Sequence, residues 1–156
     1  LRYIWGCVAR GKVMEVKKLL LDMDNTSFDF NEAVLDDTMI NPPEMYRIGF
    51  FQNLKPYKSA LYAIAALMRC GKYDVYICTK PLANSLISYT EKAKSIAKHF
   101  PMLLDKIIMI QDKGMIKADI LIDDCKKNIK AFEGRGILFN PHKPDESWDK
   151  VLKELL

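Results

Sequence analysis

Asp22 and Asp24 stand two residues apart at the end of an apolar run, and an adjacent acidic pair, Asp123-Asp124, closes another run a hundred residues later. Between them Thr79 ends a third run, and Lys113 follows a fourth. While the backbone stays extended, residues two apart point the same way, so Asp22 and Asp24 can share one side of a strand end. Several carboxylates crowded together repel unless something cationic sits among them. A hard divalent ion such as Mg²⁺, held by one or two carboxylates with phosphate and water, meets that need. Lys113 would add a positive charge, and the Thr79 hydroxyl with nearby backbone N–H groups could hold phosphate oxygens. Carboxylate, metal and lysine around one phosphate make a phosphoryl-transfer site.

The elements must bring these residues together. Val16–Asp22, Asp74–Cys78, Ile107–Ile110, Asp119–Ile122 and Ile137–Phe139 read as short strands, several rich in the Val or Ile that suits burial on both faces. Helical patterns lie between them. Ser59–Cys70 has Ser59 as an expected N-cap and Gly71 as its stop. Asn84–Phe100 predicts an inward stripe of Leu86, Ile87, Ala93, Ile96, Ala97 and Phe100, and Ser147–Leu156 closes the chain with Trp148, Val151, Leu152 and Leu155 inward. Such alternation predicts an α/β fold with a parallel sheet of about five strands, wrapped on both sides. In that class the carboxyl edge of the sheet carries the site, and all four reactive groups fall there. A single aspartate at a strand end is as readily a helix cap as a catalyst; an ordered set on one edge is not.

The chain has 156 residues, 49% of them hydrophobic, and a net charge of +4, which suits one folded domain and excludes disorder. Its basic residues form pairs such as Lys17-Lys18 and Lys126-Lys127, not the runs that bind nucleic acid polymers. Nothing approaches the roughly 18 consecutive apolar residues of a membrane helix. Cys7, Cys70, Cys78 and Cys125 have no metal-type spacing and read as reduced thiols of a cytoplasmic protein. Residues 1–13 read as an extension before a single domain over 14–156. Asn31–Lys58, with Pro42, Pro43 and Pro56, reads as an insertion after the first strand, its helical cap portion at about 31–52.

The run LLLDMDNTSFDF resembles the first motif of the haloacid dehalogenase superfamily, YICTKP its second, and QDKGMIKADILIDD its third and fourth. The nearer likeness is to the 5′(3′)-deoxyribonucleotidase family within it, carried by DMDNTSFDF at 22–30, FFQNLKP at 50–56, YICT at 76–79, DK at 112–113 and LIDD at 121–124. The resemblance implies a three-layer Rossmann-like fold with strand order 5-4-1-2-3, and a Mg²⁺-dependent phosphatase of nucleoside monophosphates acting through an aspartyl-phosphate. Asp22 would be the nucleophile. Asp24 would be the general acid and base, with its backbone carbonyl on the metal. Thr79 and Lys113 would bind phosphate. Asp124 would ligate Mg²⁺ directly with Asp123 supporting it, although the residues alone leave the order of that pair open. Phe30 matches an aromatic near the nucleoside and would serve equally as a core residue beside the insertion. Two positions depart from the family: Asn25-Thr26 stand where Gly-Val is common. Lys80 replaces a frequent Ser, adding a charge beside the phosphate or pointing to solvent. The insertion is also shorter than the family's usual cap.

Other classes fit less well. A phospho-accepting receiver module also groups acids, a hydroxyl and a lysine, but puts its acidic pair first and its lysine last, the reverse of Lys113 before Asp123-Asp124. No GxxxxGK[ST] loop is present for a P-loop binder. A thiol mechanism on Cys125 would need a partner, and neither His99 nor His142 sits in a motif that supplies one.

Overall fold

The computed structural model describes residues 15–34 and 44–156. The extension at 1–13, with Cys7, and residues 35–43 of the insertion, with Pro42 and Pro43, lie outside the described residues. The chain runs β1 (Lys17–Leu21), α1 (Phe30–Val34), α2 (Lys58–Arg69), β2 (Tyr73–Thr79), α3 (Leu86–His99), β3 (Ile107–Met109), β4 (Ile120–Asp123), α4 (Lys126–Ala131), β5 (Arg135–Leu138) and α5 (Pro144–Leu155). All five strands are parallel in the order β3-β2-β1-β4-β5, the expected order read from the other edge. No helix among the described residues is long and apolar enough to cross a membrane.

β1 lies at the centre because its side chains are apolar toward both faces. Leu19 and Leu21 join the larger core with Val75, Ile77, Ile120 and Ile122, and with Ala63, Ile64 and Leu67 of α2 and Trp148, Val151 and Leu155 of α5. Leu20 points the other way, to Cys78, Leu121 and Phe132, with Ile129 of α4 packed against them. The register pairs Leu21 with Ile77 on one side and Ile122 on the other. One step further, the same register brings Asp22 level with Asp123. The Asp22 N–H donates to Ile122 O at 2.9 Å, which holds that step.

Two helices differ from their sequence patterns. α2 starts at Lys58 behind Tyr57, which makes no side-chain cap, and the Ser59 hydroxyl is buried without a partner instead of capping. Gly71, at φ +72°, does end that helix in the left-handed region that glycine favours. α3 is capped by Ser85, whose side chain accepts from the Ser88 N–H. The expected stripe holds only in its second half: Ile96 and Phe100 are buried and Ala93 and Ala97 half-buried, but Leu86 is 86% exposed and Ile87 is exposed, while Ser88, Glu91, Lys92 and Ser95 are buried. The spacing is still helical, but polar side chains occupy the inward positions because the site and the insertion supply partners for several of them.

The closing helix reaches the site through one residue. Trp148 is 1% exposed, lies 5.4 Å from Phe139 ring to ring, and donates its indole N–H to Thr26 O at 3.0 Å. Trp148→Ala should therefore cost about 3–5 kcal/mol of unfolding free energy, the range for emptying a buried aromatic site. Trp148→Phe should cost less, about 1–3 kcal/mol, chiefly for the unpaired Thr26 carbonyl. Denaturant melts with unchanged slope measure both; a Trp148→Ala midpoint equal to wild type would show that α5 does not anchor this turn.

Candidate active site

β1 ends at Leu21 and leaves Asp22 at the carboxyl edge, 7% exposed. Its carboxylate is ion-paired with Lys113, which also donates to Asp123 Oδ2 at 2.7 Å. Lys113 reaches this depth from a 3₁₀ turn, Lys113–Met115, whose start is capped by Asp112 Oδ1 accepting from the Gly114 N–H at 2.9 Å. Gly114 is needed there, since a Cβ would stand 2.9 Å from Ala131 O. Asp123 is fully enclosed: Oδ1 accepts from Cys125 N–H at 2.8 Å and Asn128 Nδ2 at 3.1 Å, and Oδ2 accepts from Asn128 Nδ2 at 3.0 Å besides Lys113. Asp124 is half-buried beside it.

Burial and neighbouring carboxylates shift the acids of this edge together. Burial pushes the Asp22 carboxyl up to about 7; Lys113 opposes that rise, and Asp123 and Asp24 add to it. Burial, then Asp123, raise Asp124 to about 6. Burial alone would lower Lys113, but Asp22 and Asp123 outweigh it and hold the ammonium above the ordinary lysine value. Asp22, Asp123 and Asp124 each have an oxygen within 4.8 Å of the others; with the Asp123 oxygens already hydrogen-bonded, those of Asp22 and Asp124 are the hard donors that fit a divalent cation such as Mg²⁺.

Asp24 sits in a tight turn. Ser27 and Phe28 N–H both donate to Met23 O, at 3.0 and 2.8 Å, and Asn25 N–H donates to Phe28 O at 2.8 Å. Asn25 has φ +59°, which asparagine tolerates better than most residues, so it can stand where the sequence resemblance leads us to expect glycine. Ser27 Oγ donates back to Asp22 O at 2.8 Å. The Asp24 side chain is 26% exposed, ion-paired through Oδ2 with Lys92, while Oδ1 has no partner. Lys92 is wholly buried, donates to Thr79 Oγ1 at 3.1 Å, and lies 4.4 Å from the Phe51 ring centre. An enclosed ammonium costs several kcal/mol in desolvation unless it is so paired.

A cleft of about 540 Å³ opens over these groups, lined by Asp22, Asp24, Phe30, Lys80, Lys113, Asp123 and Asp124 among others. Thr79 is buried at its edge and Lys80 is exposed on its rim. Phe30 is half-buried and serves both surroundings: it lines the cleft and packs against Phe50 and Phe51 at 5.5 and 6.1 Å. Neither histidine lines the cleft, although Cys125 does. The cleft thus gathers every candidate site residue of the sequence except Thr79, which is buried and accepts from Lys92.

Three polar residues carry no signal in the sequence. Lys92 and Glu91 lie in a helix whose apolar residues suggested another inward face. Glu91 is 4% exposed and accepts from the N–H groups of Gly49 and, at 3.1 Å, Phe51. Asn128 could have been suspected only from its place in the first turn of α4, just after the acidic pair.

A family profile described as 5′ nucleotidase, deoxy (pyrimidine), cytosolic type C protein matches residues 37–146. A 5′(3′)-deoxyribonucleotidase of Bacillus subtilis is 32% identical over 115 residues, 68% of this chain and 65% of that one. The mitochondrial 5′(3′)-deoxyribonucleotidase of Mus musculus is 34% identical over 104 residues, 66% of this chain and 42% of that one. The chain therefore spans 65% of the bacterial relative and less than half of the mouse one. The crystal structure of a haloacid dehalogenase-like family hydrolase from Xanthomonas campestris superposes with a TM-score of 0.52 at 12% identity, covering 82% of this chain and 84% of that chain, a likeness of fold.

The raised carboxyls give the cation site a pH signature. Without metal, Asp22 and Asp124 bind protons more tightly folded than unfolded, so their contribution to stability is full below about 4 and is lost as pH rises through 6 to 7. A cation competes with those protons. Mg²⁺ added to chelator-treated protein should raise Tm clearly at pH 8, and the gain should shrink toward pH 5 and vanish in Asp124→Asn. A gain that is equal at pH 5 and pH 8 would overturn the assignment.

Proposed function

The chain belongs to the family of 5′ nucleotidase, deoxy (pyrimidine), cytosolic type C proteins, within the haloacid dehalogenase superfamily, and from that membership we propose that it is a Mg²⁺-dependent phosphomonoesterase whose substrates are nucleoside monophosphates. The observation that carries the reading is the buried Asp22–Lys113–Asp123 bridge with Asp24 beside it at one sheet edge. Asp22 is the nucleophile: Lys113 holds its Oδ1, leaving Oδ2 to attack phosphorus and form an aspartyl-phosphate. Asp24 gives its proton to the departing ester oxygen and then takes one from the water that releases phosphate. The Thr79 hydroxyl and Lys113 hold the phosphoryl oxygens, with Lys80 adding charge at the rim.

The residues that would hold Mg²⁺ are Asp22, the Asp24 backbone carbonyl and Asp124. Asp123 supports them, since its two oxygens are already taken by Lys113, Asn128 and the Cys125 N–H. When bound, the ion would supply the positive charge that lets a phosphate dianion approach a carboxylate. Phe30, with Phe50 and Phe51 behind it, offers an aromatic wall for a nucleoside, in keeping with what the relatives are named for.

Two substitutions test the roles by phosphate release from a panel of nucleoside monophosphates and other small phosphate esters. Asp22→Asn removes the nucleophile and a charged metal ligand together and should leave no measurable turnover. Asp24→Asn should cost about 10²–10⁴-fold with nucleotides, the range of a general acid–base. With p-nitrophenyl phosphate, whose leaving group needs little protonation, the loss should shrink and phosphate should accumulate on Asp22. Label trapped on any other residue, or Asp22→Asn turning over near the normal rate, would mean the roles are wrongly assigned.

A further inference from the structure

The second buried lysine belongs to no motif, yet its surroundings are as constrained as those of Lys113. Lys92 has no exposed surface, and its ammonium meets three groups: Asp24 Oδ2, Thr79 Oγ1 at 3.1 Å, and the face of Phe51 with its ring centre 4.4 Å away. Lys92 is not among the residues that line the cleft. An apolar side chain would fill this place on α3 at lower desolvation cost. The charge is therefore kept for what it does to its neighbours.

Resting on the phosphomonoesterase reading, we propose that Lys92 is a positioning residue that orients the proton-transferring carboxylate of Asp24, with its ammonium anchored on the Thr79 hydroxyl. By pairing with Asp24 Oδ2 it fixes the rotation of a carboxylate that lines the cleft and is 26% exposed, while Oδ1 is buried without a protein partner. By donating to Thr79 Oγ1 it makes that oxygen an acceptor and leaves the threonine O–H to donate to another group. The preceding residue steadies the arrangement: Glu91 accepts from the Gly49 and Phe51 N–H groups, so the same helical turn holds the aromatic ring that covers the ammonium.

The test uses Lys92→Met, which keeps the stem and removes the charge, and Lys92→Gln as a second, polar variant, with melting curves to show that each folds. Kinetics are read on a nucleoside 5′-monophosphate and on p-nitrophenyl phosphate. Acting through Asp24, the substitution should lower kcat for the nucleotide by about 10²-fold and for p-nitrophenyl phosphate at least tenfold less, within the span of general acid–base effects. In an Asp24→Asn background it should cost under about threefold more, because the two residues act as a unit. Equal losses on both esters, or losses that multiply fully with Asp24→Asn, would overturn the positioning role and leave the phosphomonoesterase reading standing. Wild-type protein inactive on both esters would overturn that reading and this inference with it.

Discussion

Lys113 donates to Asp22 and Asp123 from a position only 2% exposed, and the site is built around that pairing. Two carboxylates at the ends of adjacent parallel strands would repel at this depth, and each would be costly to bury alone. One ammonium between them turns the repulsion into a bridge across β1 and β4. To deliver it, the chain after β3 must turn tightly under α4, and the Gly114 position admits no Cβ without meeting Ala131 O. The bridge also freezes a side of Asp22, so that a flexible acid becomes a directed one.

The sheet was legible because its signals are redundant. Each strand is a short apolar run ending in a polar residue, and the parallel register follows once both faces of β1 must be buried. The same redundancy made Asp22, Asp24, Thr79, Lys113, Asp123 and Asp124 legible: each follows such a run, and a parallel sheet brings those ends together. Lys92, Glu91 and Asn128 were not legible, since nothing in a helix says which polar residue faces inward. α3 inverts the usual rule, exposing Leu86 and Ile87 while burying Glu91 and Lys92, because ion pairs and backbone donors offset the desolvation that would otherwise keep those groups outside. Ser59 failed as a cap for a related reason: Tyr57, buried against Phe139, sets where α2 begins.

The buried charges at the edge do not balance among themselves, although Lys80 and Lys127 stand exposed on the rim of the cleft. Asp22, Asp24, Asp123 and Asp124 face two buried ammoniums, Lys92 and Lys113. Two formal negative charges remain, and burial raises both Asp22 and Asp124 in response. Asp123 takes no further part, having filled its oxygens with hydrogen bonds, so the surplus is concentrated on the carboxylates that open toward the cleft. On the proposed reading, a divalent cation there would offset the charge of Asp22 and Asp124 and make the site less repulsive to a phosphate dianion.

The two leading acids also differ in what supports them, and that difference follows from the backbone between them. Asp22 continues the extended line of β1 and inherits the register of the sheet, which commits it to Lys113. After Met23 the chain leaves the sheet, and Asn25 at φ +59° turns it back so that Phe28 pairs with Asp24. The turn lifts Asp24 off the strand, to a side chain 26% exposed and bound to Lys92 of α3 instead. In the proposed roles, a fixed nucleophile and a partly solvated proton carrier would need this separation, because one must hold its aim while the other must exchange protons with substrate and water. The turn is itself pinned from opposite sides, by Ser27 Oγ on Asp22 O and by the Trp148 indole on Thr26 O. Thus α5, remote in sequence and bearing no reactive group, helps set where the second aspartate stands relative to the first.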